Sequence, residues 1–327
     1  MANVGIVGGG AFGTGMACVV RRSGHDVLIW AREPEVVASI NRLGRNDQFL
    51  PEAKLPAGIA ATGNLAEAVG GADFVLLAPP AQHMRAVAGA LRPHLPKGVP
   101  VVSCSKGVER GTLALMPQVL AEVLPGVAAG VLSGPSFAKE IGIDLPCGVA
   151  LAFEDLPLAR KLSSEIQNRN FCVHPSDDPV GAAIGGVMKN VVAIASGVAA
   201  GRKLGENARA SVVTLGLAET VRLGLALGAK RETFDGFAGI GDMMLTAHSA
   251  QSRNTSLGIA LAEGQSLKDV LSKRIAVTEG AFSAEAVVAL AARHGVRMPV
   301  AQAVDAVLNR GQSLDAAIAG VLEHAAG

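Results

Sequence analysis

The hydrophobic pattern of this chain changes near residue 180. Before that point, short apolar runs of strand length alternate with segments of helical spacing, beginning with Val4-Gly5-Ile6-Val7. Such alternation predicts a parallel sheet with helices on both faces. From Pro179 onward, helical spacing dominates and strand candidates become few. The sequence therefore predicts an α/β fold, with a doubly wound sheet over residues 1–180 and an all-helical domain over residues 181–327.

The predicted elements are of ordinary length in both parts. Strands are predicted over residues 4–7, 27–30, 58–62, 73–78, 99–104 and 127–132, with helices over 64–69 and 81–91. In the second part, helices are predicted over residues 205–227, 252–262, 266–272, 283–293, 299–308 and 313–323. Ligands of a parallel sheet bind beyond the carboxyl ends of its strands, so the loops there are candidate sites.

The apolar segment over residues 180–201 contains a single charged residue, Lys189. If the ammonium is buried, desolvation lowers its pKa from about 10.4 toward neutrality, which would make Lys189 a candidate acid or base. The alternative is a side chain whose methylene stem crosses apolar surface while its charge stays in water. The segment is also about long enough for a membrane span. A central Lys-Asn pair among glycines and alanines argues against that, and a buried helix is predicted.

The first strand is followed at once by Gly8, Gly10 and Gly13, which match the pattern G-x-G-x-x-G in its strand, turn and helix context. The three glycines would serve a tight turn, the approach of a pyrophosphate and the packing of helix on strand, with phosphate at the helix N-terminus. This predicts a Rossmann-like dinucleotide-binding domain. The alternative is a glycine-rich turn without a ligand.

The second strand ends before Ala31-Arg32-Glu33. An arginine at this point accommodates the 2′-phosphate of NADPH, whereas the neighbouring Glu33 keeps NADH open. NADPH is therefore favoured over NADH as the cofactor. The alternative for Arg32 is a solvated surface charge.

Four further stretches carry polar groups in loops or at helix starts. Lys106 follows the strand that ends at residue 104 and is a candidate contact for phosphate or carbonyl oxygen, and residues 133–138 follow the last predicted strand. Asp242 ends a glycine turn. Ser252 is a good N-cap, so Arg253 and the free N–H groups of its helix make a candidate phosphate site. The alternatives are ordinary polar loops and a capped helix with a surface arginine.

Composition narrows the classes of function. Lys plus Arg (29) and Asp plus Glu (28) nearly balance, aromatic residues make up 3% and tyrosine is absent. Neither a basic field nor stacking platforms for nucleic acid are present, so small-molecule chemistry is expected. The N-terminus begins without a secretory signal, which predicts the cytoplasm. No metal site is predicted, and the oligomeric state stays open, with a homodimer as one option.

The cysteines are Cys18, Cys104, Cys147 and Cys172, and their spacing fits neither a zinc site nor a disulfide framework. They are predicted to be reduced residues of the core. His248 and His294 are interpreted as structural.

Taken together, the ordered motifs of both domains resemble the bacterial NAD(P)-dependent sn-glycerol-3-phosphate dehydrogenases over the full chain. The motifs that carry the resemblance are the 8–13 loop, Ser105-Lys106-Gly107, residues 133–138, residues 186–191 around Lys189, Asn207-Ala208-Arg209, residues 238–242, residues 251–254 and Val277-Thr278-Glu279-Gly280.

The resemblance implies reversible reduction of dihydroxyacetone phosphate to sn-glycerol 3-phosphate, a phospholipid precursor. It assigns Lys189 as the proton acceptor for oxidation, and hence the donor for reduction. Substrate contacts are implied for Lys106, Gly134, Ser136, Asp242, Ser252, Arg253 and Asn254. Cofactor contacts are implied for Phe12, Arg32, Ala138, Val277 and Glu279, with Lys106 and Arg253 near the cofactor as well.

One position departs from the family, which usually has serine where this chain has Ala11. A pyrophosphate contact there is then limited to the backbone. Whether Asp242 orients the lysine or holds a substrate hydroxyl stays open. Two alternatives remain: a β-hydroxyacid dehydrogenase, which has the same two-domain architecture, and a nucleotide-sensing module without turnover.

Overall fold

The chain forms two compact units. The computed structural model describes residues 1–272 and 279–325, of which 279, 324 and 325 are described by their backbone alone. The first unit consists of Met1–Ser105 and Met116–Pro179, and the second of Lys106–Leu115 and Val180–Gly327. The sequence pattern placed the change between residues 180 and 181 but did not anticipate that residues 106–115 group with the later part.

The first unit contains a sheet, a short hairpin and seven α-helices. Its strands are β1 (Asn3–Val7), β2 (Asp26–Trp30), β3 (Arg45–Asn46), β4 (Leu50–Lys54), β5 (Ile59–Thr62), β6 (Phe74–Leu77), β7 (Val101–Ser103), β8 (Ala129–Ser133), β9 (Cys147–Ala152) and β10 (Phe171–Ser176). Its helices are α1 (Ala11–Arg22), α2 (Pro34–Leu43), α3 (Leu65–Val69), α4 (Met84–Leu91), α5 (Met116–Val123), α6 (Ala138–Gly142) and α7 (Leu156–Ile166).

Eight of these strands form one sheet in the order β10-β9-β8-β7-β6-β1-β2-β5. All neighbours from β5 to β8 are parallel, whereas β8 and β9 are antiparallel. The order reverses at β1, where Val4 pairs with both Val27 and Phe74. A parallel sheet binds dinucleotides at such a reversal, beyond the carboxyl end of the strand, which here is the glycine loop. The predicted Rossmann-like sheet is confirmed.

The six predicted strands are all present, with ends that differ by at most two residues. The hairpin β3–β4 and the strands β9 and β10 were missed. The hairpin is short and mostly polar, so it has no apolar run to reveal it. Strand β10 contains Pro175, which weakens a strand prediction but is tolerated here because β10 lies at the edge of the sheet.

The prediction that all cysteines lie in the core was wrong for two of them. All four are free; Cys18 and Cys104 are buried, Cys147 is half-buried and Cys172 is exposed. Side chains alternate between the faces of a strand, and on the edge strand β10 the outward face carries Cys172 between the buried Phe171 and Val173.

The second unit is helical, as predicted. Its helices are α8 (Pro179–Gly201), α9 (Glu206–Ala226), α10 (Arg231–Phe234), α11 (Asp242–His248), α12 (Arg253–Ala262), α13 (Leu267–Ser272), α14 (Glu279–Arg293), α15 (Pro299–Asn309) and α16 (Leu314–Ala325), with a π-helical turn over Phe237–Gly241 before α11. All six helices predicted after α8 are present, and α14 begins four residues earlier than expected.

Helix α8 is a buried core helix. Among the described helices it is long and apolar enough to span a membrane, but 89% of its most apolar window is buried within the protein. Its glycines allow close packing: a Cβ at Gly197 would overlap the carbonyl of Thr255, and one at Gly258 would overlap that of Ile194. Helices α8 and α12 therefore pack backbone against backbone, which fixes the start of α12 relative to the segment around Lys189.

Candidate active site

Three charged side chains of the second unit meet at one buried point. The Lys189 ammonium lies 2.7 Å from Oδ1 of Asp242, and the Lys106 ammonium lies 2.6 Å from Oδ2 of the same carboxylate. The Asp242 side chain is fully buried, and those of Lys189 and Lys106 are 12% and 14% exposed. The structure therefore favours the interpretation of Lys189 as a lysine whose charge is removed from water.

Burial and neighbouring charges both shift the pKa values of Lys189 and Asp242. Desolvation lowers the pKa of Lys189 from 10.5 to about 8; Asp242 opposes this shift, while the neighbouring Lys106 adds to it. Burial alone would raise the pKa of Asp242, but the two ammonium groups outweigh it and hold that pKa below its usual value. Asp242 is thus ionised, and Lys189 exchanges a proton in the range that acid–base catalysis near neutral pH requires.

The glycine turn before α11 directs Asp242 inward. Gly239 has backbone angles outside the helical region, and a Cβ there would overlap the backbone of Phe234. The turn therefore requires glycine, and it delivers Asp242 as the first residue of α11. Thr246, one turn later, donates to Oδ1 of Asp242 at 3.3 Å. Thr246 was missed in the sequence, although its i+4 spacing from Asp242 on a helix was the available signal.

The N-terminus of α12 is connected to the segment of Lys189. Ser252 caps this helix by accepting from the Thr255 N–H at 3.2 Å, as predicted for an N-cap. Nδ2 of Asn254 donates to Oδ1 of Asn190 at 2.8 Å, and Asn190 is the residue after Lys189. Asn190 in turn donates to the Lys106 carbonyl at 3.4 Å. A chain of amides thus links α12, α8 and the Lys106 loop.

Of the residues predicted from the resemblance at this site, Arg253 is exposed at the first position of α12. The Asn254 side chain is almost fully buried, and its Oδ1 accepts from the Gly280 N–H at 3.1 Å. Val277 lies outside the described residues, and Glu279 is described only as the backbone start of α14.

The glycine loop of the first unit has the geometry that a bound pyrophosphate requires. Gly8 has a φ of 129°, which favours glycine, and a Cβ at Gly13 would overlap the carbonyl of Gly8. A Cβ at Gly10 would have no atom within 4 Å, so the backbone there is open to a ligand. Helix α1 begins after Gly10 without a side-chain cap. These features fit a dinucleotide, and Phe12 lies half-buried in the first turn.

The end of β2 leads into a cavity of about 340 Å³ that Arg32 helps to line. The Arg32 side chain is 79% exposed, and its guanidinium lies 2.8 Å from the Glu33 carboxylate. The same cavity is lined by Arg42, in the last turn of α2. Arg42 was missed because a basic residue at a helix C-terminus also has a purely structural explanation. Two guanidinium groups here would suit a phosphate.

The loop after β8 is held by close packing on β9 and by a side-chain hydrogen bond within the loop. Gly134 has a φ of 148°, and a Cβ there would lie 2.8 Å from Cα of Val149. The Ser136 hydroxyl donates to the Gly134 carbonyl at 2.9 Å. Ala138 is the first residue of α6, and its carbonyl would lie 3.1 Å from a Cβ at Gly15 of α1. The loop therefore lies against the helix that starts at the glycine loop.

Both units match one family of enzymes. Models of the N-terminus and C-terminus of NAD-dependent glycerol-3-phosphate dehydrogenase match residues 3–159 and 178–319. The chain belongs to this family. It is 48% identical to the glycerol-3-phosphate dehydrogenase [NAD(P)+] of Parvibaculum lavamentivorans, over 98% of this chain and 96% of that one. Its identity to that of Caulobacter vibrioides is 49%, over 98% and 97% of the two chains.

Among solved structures, the glycerol-3-phosphate dehydrogenase of Coxiella burnetii superposes with a TM-score of 0.94 at 33% identity, covering 98% of this chain and 99% of that one. Membership of the family confirms the predicted resemblance, the prediction of an enzyme and that of an NAD(P) cofactor. The two alternatives, a β-hydroxyacid dehydrogenase and a sensor without turnover, are thereby set aside.

Arg32 provides a test of cofactor preference. We expect Arg32→Ala to raise the KM for NADPH roughly tenfold or more and to change that for NADH little, because only NADPH carries the 2′-phosphate. Steady-state kinetics with both cofactors checks this, with Arg160→Ala on the exposed surface of α7 as the control. Equal changes for the two cofactors would show that Arg32 does not contact the 2′-phosphate.

Proposed function

We propose that this protein reversibly reduces dihydroxyacetone phosphate to sn-glycerol 3-phosphate with NAD(P)H and that Lys189 transfers the proton. The observation that carries the proposal is the buried Lys189 ammonium, which lies 2.7 Å from Asp242 and has a pKa lowered to about 8. With such a pKa, both protonation states are accessible near neutral pH, so one residue serves both directions of the reaction.

The chemistry divides between the cofactor and the protein. NAD(P)H, when bound, supplies a hydride for the ketone carbon of the substrate. Lys189 donates its proton to the carbonyl oxygen as negative charge develops there, and becomes a neutral amine. In the oxidative direction the neutral amine accepts the proton of the hydroxyl group. General acid assistance of this kind contributes about 10²- to 10⁴-fold.

For Asp242, the contacts support an orienting role. Both of its carboxylate oxygens are engaged by ammonium groups, Oδ1 by Lys189 and Oδ2 by Lys106. Further hydrogen bonding to a substrate hydroxyl would compete with these charged partners. We therefore propose that Asp242 fixes the two lysines, and that Lys106 contacts the substrate oxygens.

For the substrate phosphate, we propose the N-terminus of α12. A helix N-terminus offers free N–H groups and a partial positive charge, and Arg253 adds a guanidinium at its first position. Asn254 contributes by its backbone, because its amide group is bonded to Asn190 and Gly280. The Ser252 side chain is the N-cap of this helix and accepts from the Thr255 N–H.

The exposed Arg32 and the adjacent Arg42 support a preference for NADPH over NADH. In the cell, we propose that the enzyme works in the cytoplasm and supplies sn-glycerol 3-phosphate for phospholipid synthesis. An assay of NADPH or NADH oxidation at 340 nm with dihydroxyacetone phosphate tests the proposed activity directly; absence of turnover with both cofactors would refute it.

Replacing Lys189 tests the proton-transfer role. We expect Lys189→Met to lower kcat for reduction at least about 10²-fold, because the acid is removed. In the unmodified enzyme the rate should fall as pH rises through about 8, since the ammonium is then lost. Kinetics across pH 6 to about 9.5 checks both statements. Lys268→Met, on the exposed surface of α13, is the control. Near-normal turnover of Lys189→Met would rule out the assignment.

Replacing Arg253 tests the phosphate anchor. Arg253→Ala should lower kcat/KM for dihydroxyacetone phosphate by about 10²- to 10⁴-fold, because a charge-assisted contact to a dianion is lost. The weak activity on unphosphorylated dihydroxyacetone should change little. The comparison is made at saturating cofactor, with Arg253→Lys as the variant that keeps the charge. A parallel loss for both substrates would mean that Arg253 acts through the cofactor or the fold.

A further inference from the structure

A buried asparagine outside all the motifs described above contacts the glycine loop. Asn46 lies in β3, and its side chain is completely buried. Its Nδ2 donates to the Gly9 carbonyl at 2.8 Å and to Oγ1 of Thr14, in α1, at 2.8 Å. Its Oδ1 accepts from the Phe49 N–H at 3.1 Å, within the same hairpin. Each polar atom of this amide is therefore engaged inside the first unit.

The partners of Asn46 fix the orientation of its amide. The Gly9 carbonyl can only accept a hydrogen bond, and the Phe49 N–H can only donate one. Nδ2 must therefore face the glycine loop and Oδ1 the hairpin, because the flipped amide would oppose both partners. The two hydrogens of Nδ2 are used by Gly9 and Thr14.

Holding the Gly9 carbonyl also orients the next N–H. In a planar trans peptide, the carbonyl of one residue and the N–H of the following residue point in opposite directions. With the Gly9 carbonyl directed at Asn46, the Gly10 N–H is directed away from it. The backbone around Gly10 is uncrowded, since a Cβ built there would meet no atom within 4 Å, and helix α1 starts after Gly10 without a side-chain cap.

We propose that Asn46 is a positioning residue for the cofactor. It holds the Gly9–Gly10 peptide in the orientation in which the Gly10 N–H and the first turn of α1 bind the pyrophosphate of NAD(P)H. Asn46 itself does not touch the cofactor. The hairpin β3–β4 directly follows α2, the helix that begins just after Arg32. The Asn46 side chain therefore connects this part of the chain to the glycine loop. The proposal rests on the family's NAD(P) cofactor and is independent of the role of Lys189.

The test measures binding to the substrate-free protein. The dissociation constant is determined by fluorescence for whichever of NADPH and NADH the unmodified protein binds more tightly. Asn46→Ala should raise this constant about 10- to 100-fold, because a peptide that is no longer held loses a charge-assisted hydrogen bond. At saturating cofactor, kcat should stay within about threefold, so the effect appears in KM.

A matched control separates positioning from loss of stability. Asn168 is half-buried and bonds to the C-terminal end of α1: its Nδ2 donates to the Val19 carbonyl and to the hydroxyl of the C-cap Ser23, and its Oδ1 accepts from the Asn170 and Phe171 N–H groups. Asn168→Ala should lower Tm and leave the dissociation constant within about twofold. Equal weakening by both variants would overturn the proposal, as would an unchanged constant for Asn46→Ala.

A conservative variant gives a second readout that a purely structural role would not move. Asn46→Asp keeps the shape but, when ionised, places a carboxylate against the Gly9 carbonyl. When protonated, its O–H can donate to that carbonyl again. The affinity of Asn46→Asp relative to the unmodified protein should therefore recover as pH falls from about 8.5 to about 5.5. A relative affinity that stays low over the whole range would contradict the proposal.

Discussion

The site depends on one buried carboxylate held between two ammonium groups. An ionised carboxylate with no exposure to water is unstable unless it is paired, and Asp242 is paired twice, with Lys106 and Lys189. The pairing leaves one excess positive charge in the cluster. This excess keeps Asp242 ionised, contributes to the low pKa of Lys189, and suits a substrate oxygen that gains negative charge during reduction.

The helical unit is built so that these three charges can meet. Helix α8 holds Lys189 in the core, and a turn that only glycine can adopt directs Asp242 inward. Residues 106–115 lie between segments of the first unit in sequence but belong to the second unit, and they supply Lys106. The backbone contact of α8 with α12, through Gly197 and Gly258, then places a helix N-terminus beside the segment of Lys189. A polar cluster of this kind has little freedom, since each amide and carboxylate atom in it has a specific partner.

Much of the fold and of the candidate site could be predicted from the sequence, because the patterns that indicate them each span only a few residues. A single lysine in an apolar helix and the glycine fingerprint after the first strand each stand out over a few residues. The pairing of Asp242 with both Lys106 and Lys189 could not be predicted, because it joins residues up to 136 positions apart. The hairpin of Asn46 was missed for a different reason. It is short and polar, and Asn46 contacts Gly9 and Thr14, which are distant in the sequence. The edge strand β10 was not predicted because it contains Pro175, and a proline weakens a strand prediction.

Burial within this cluster makes Lys189 a titrating group near neutral pH. The pH dependence of acetylation of Lys189, followed by mass spectrometry on the substrate-free protein, measures its pKa without relying on turnover. The inflection should lie at about 8. An inflection near the ordinary lysine value of about 10.4 would contradict the account, because Lys189 would then be a solvated charge.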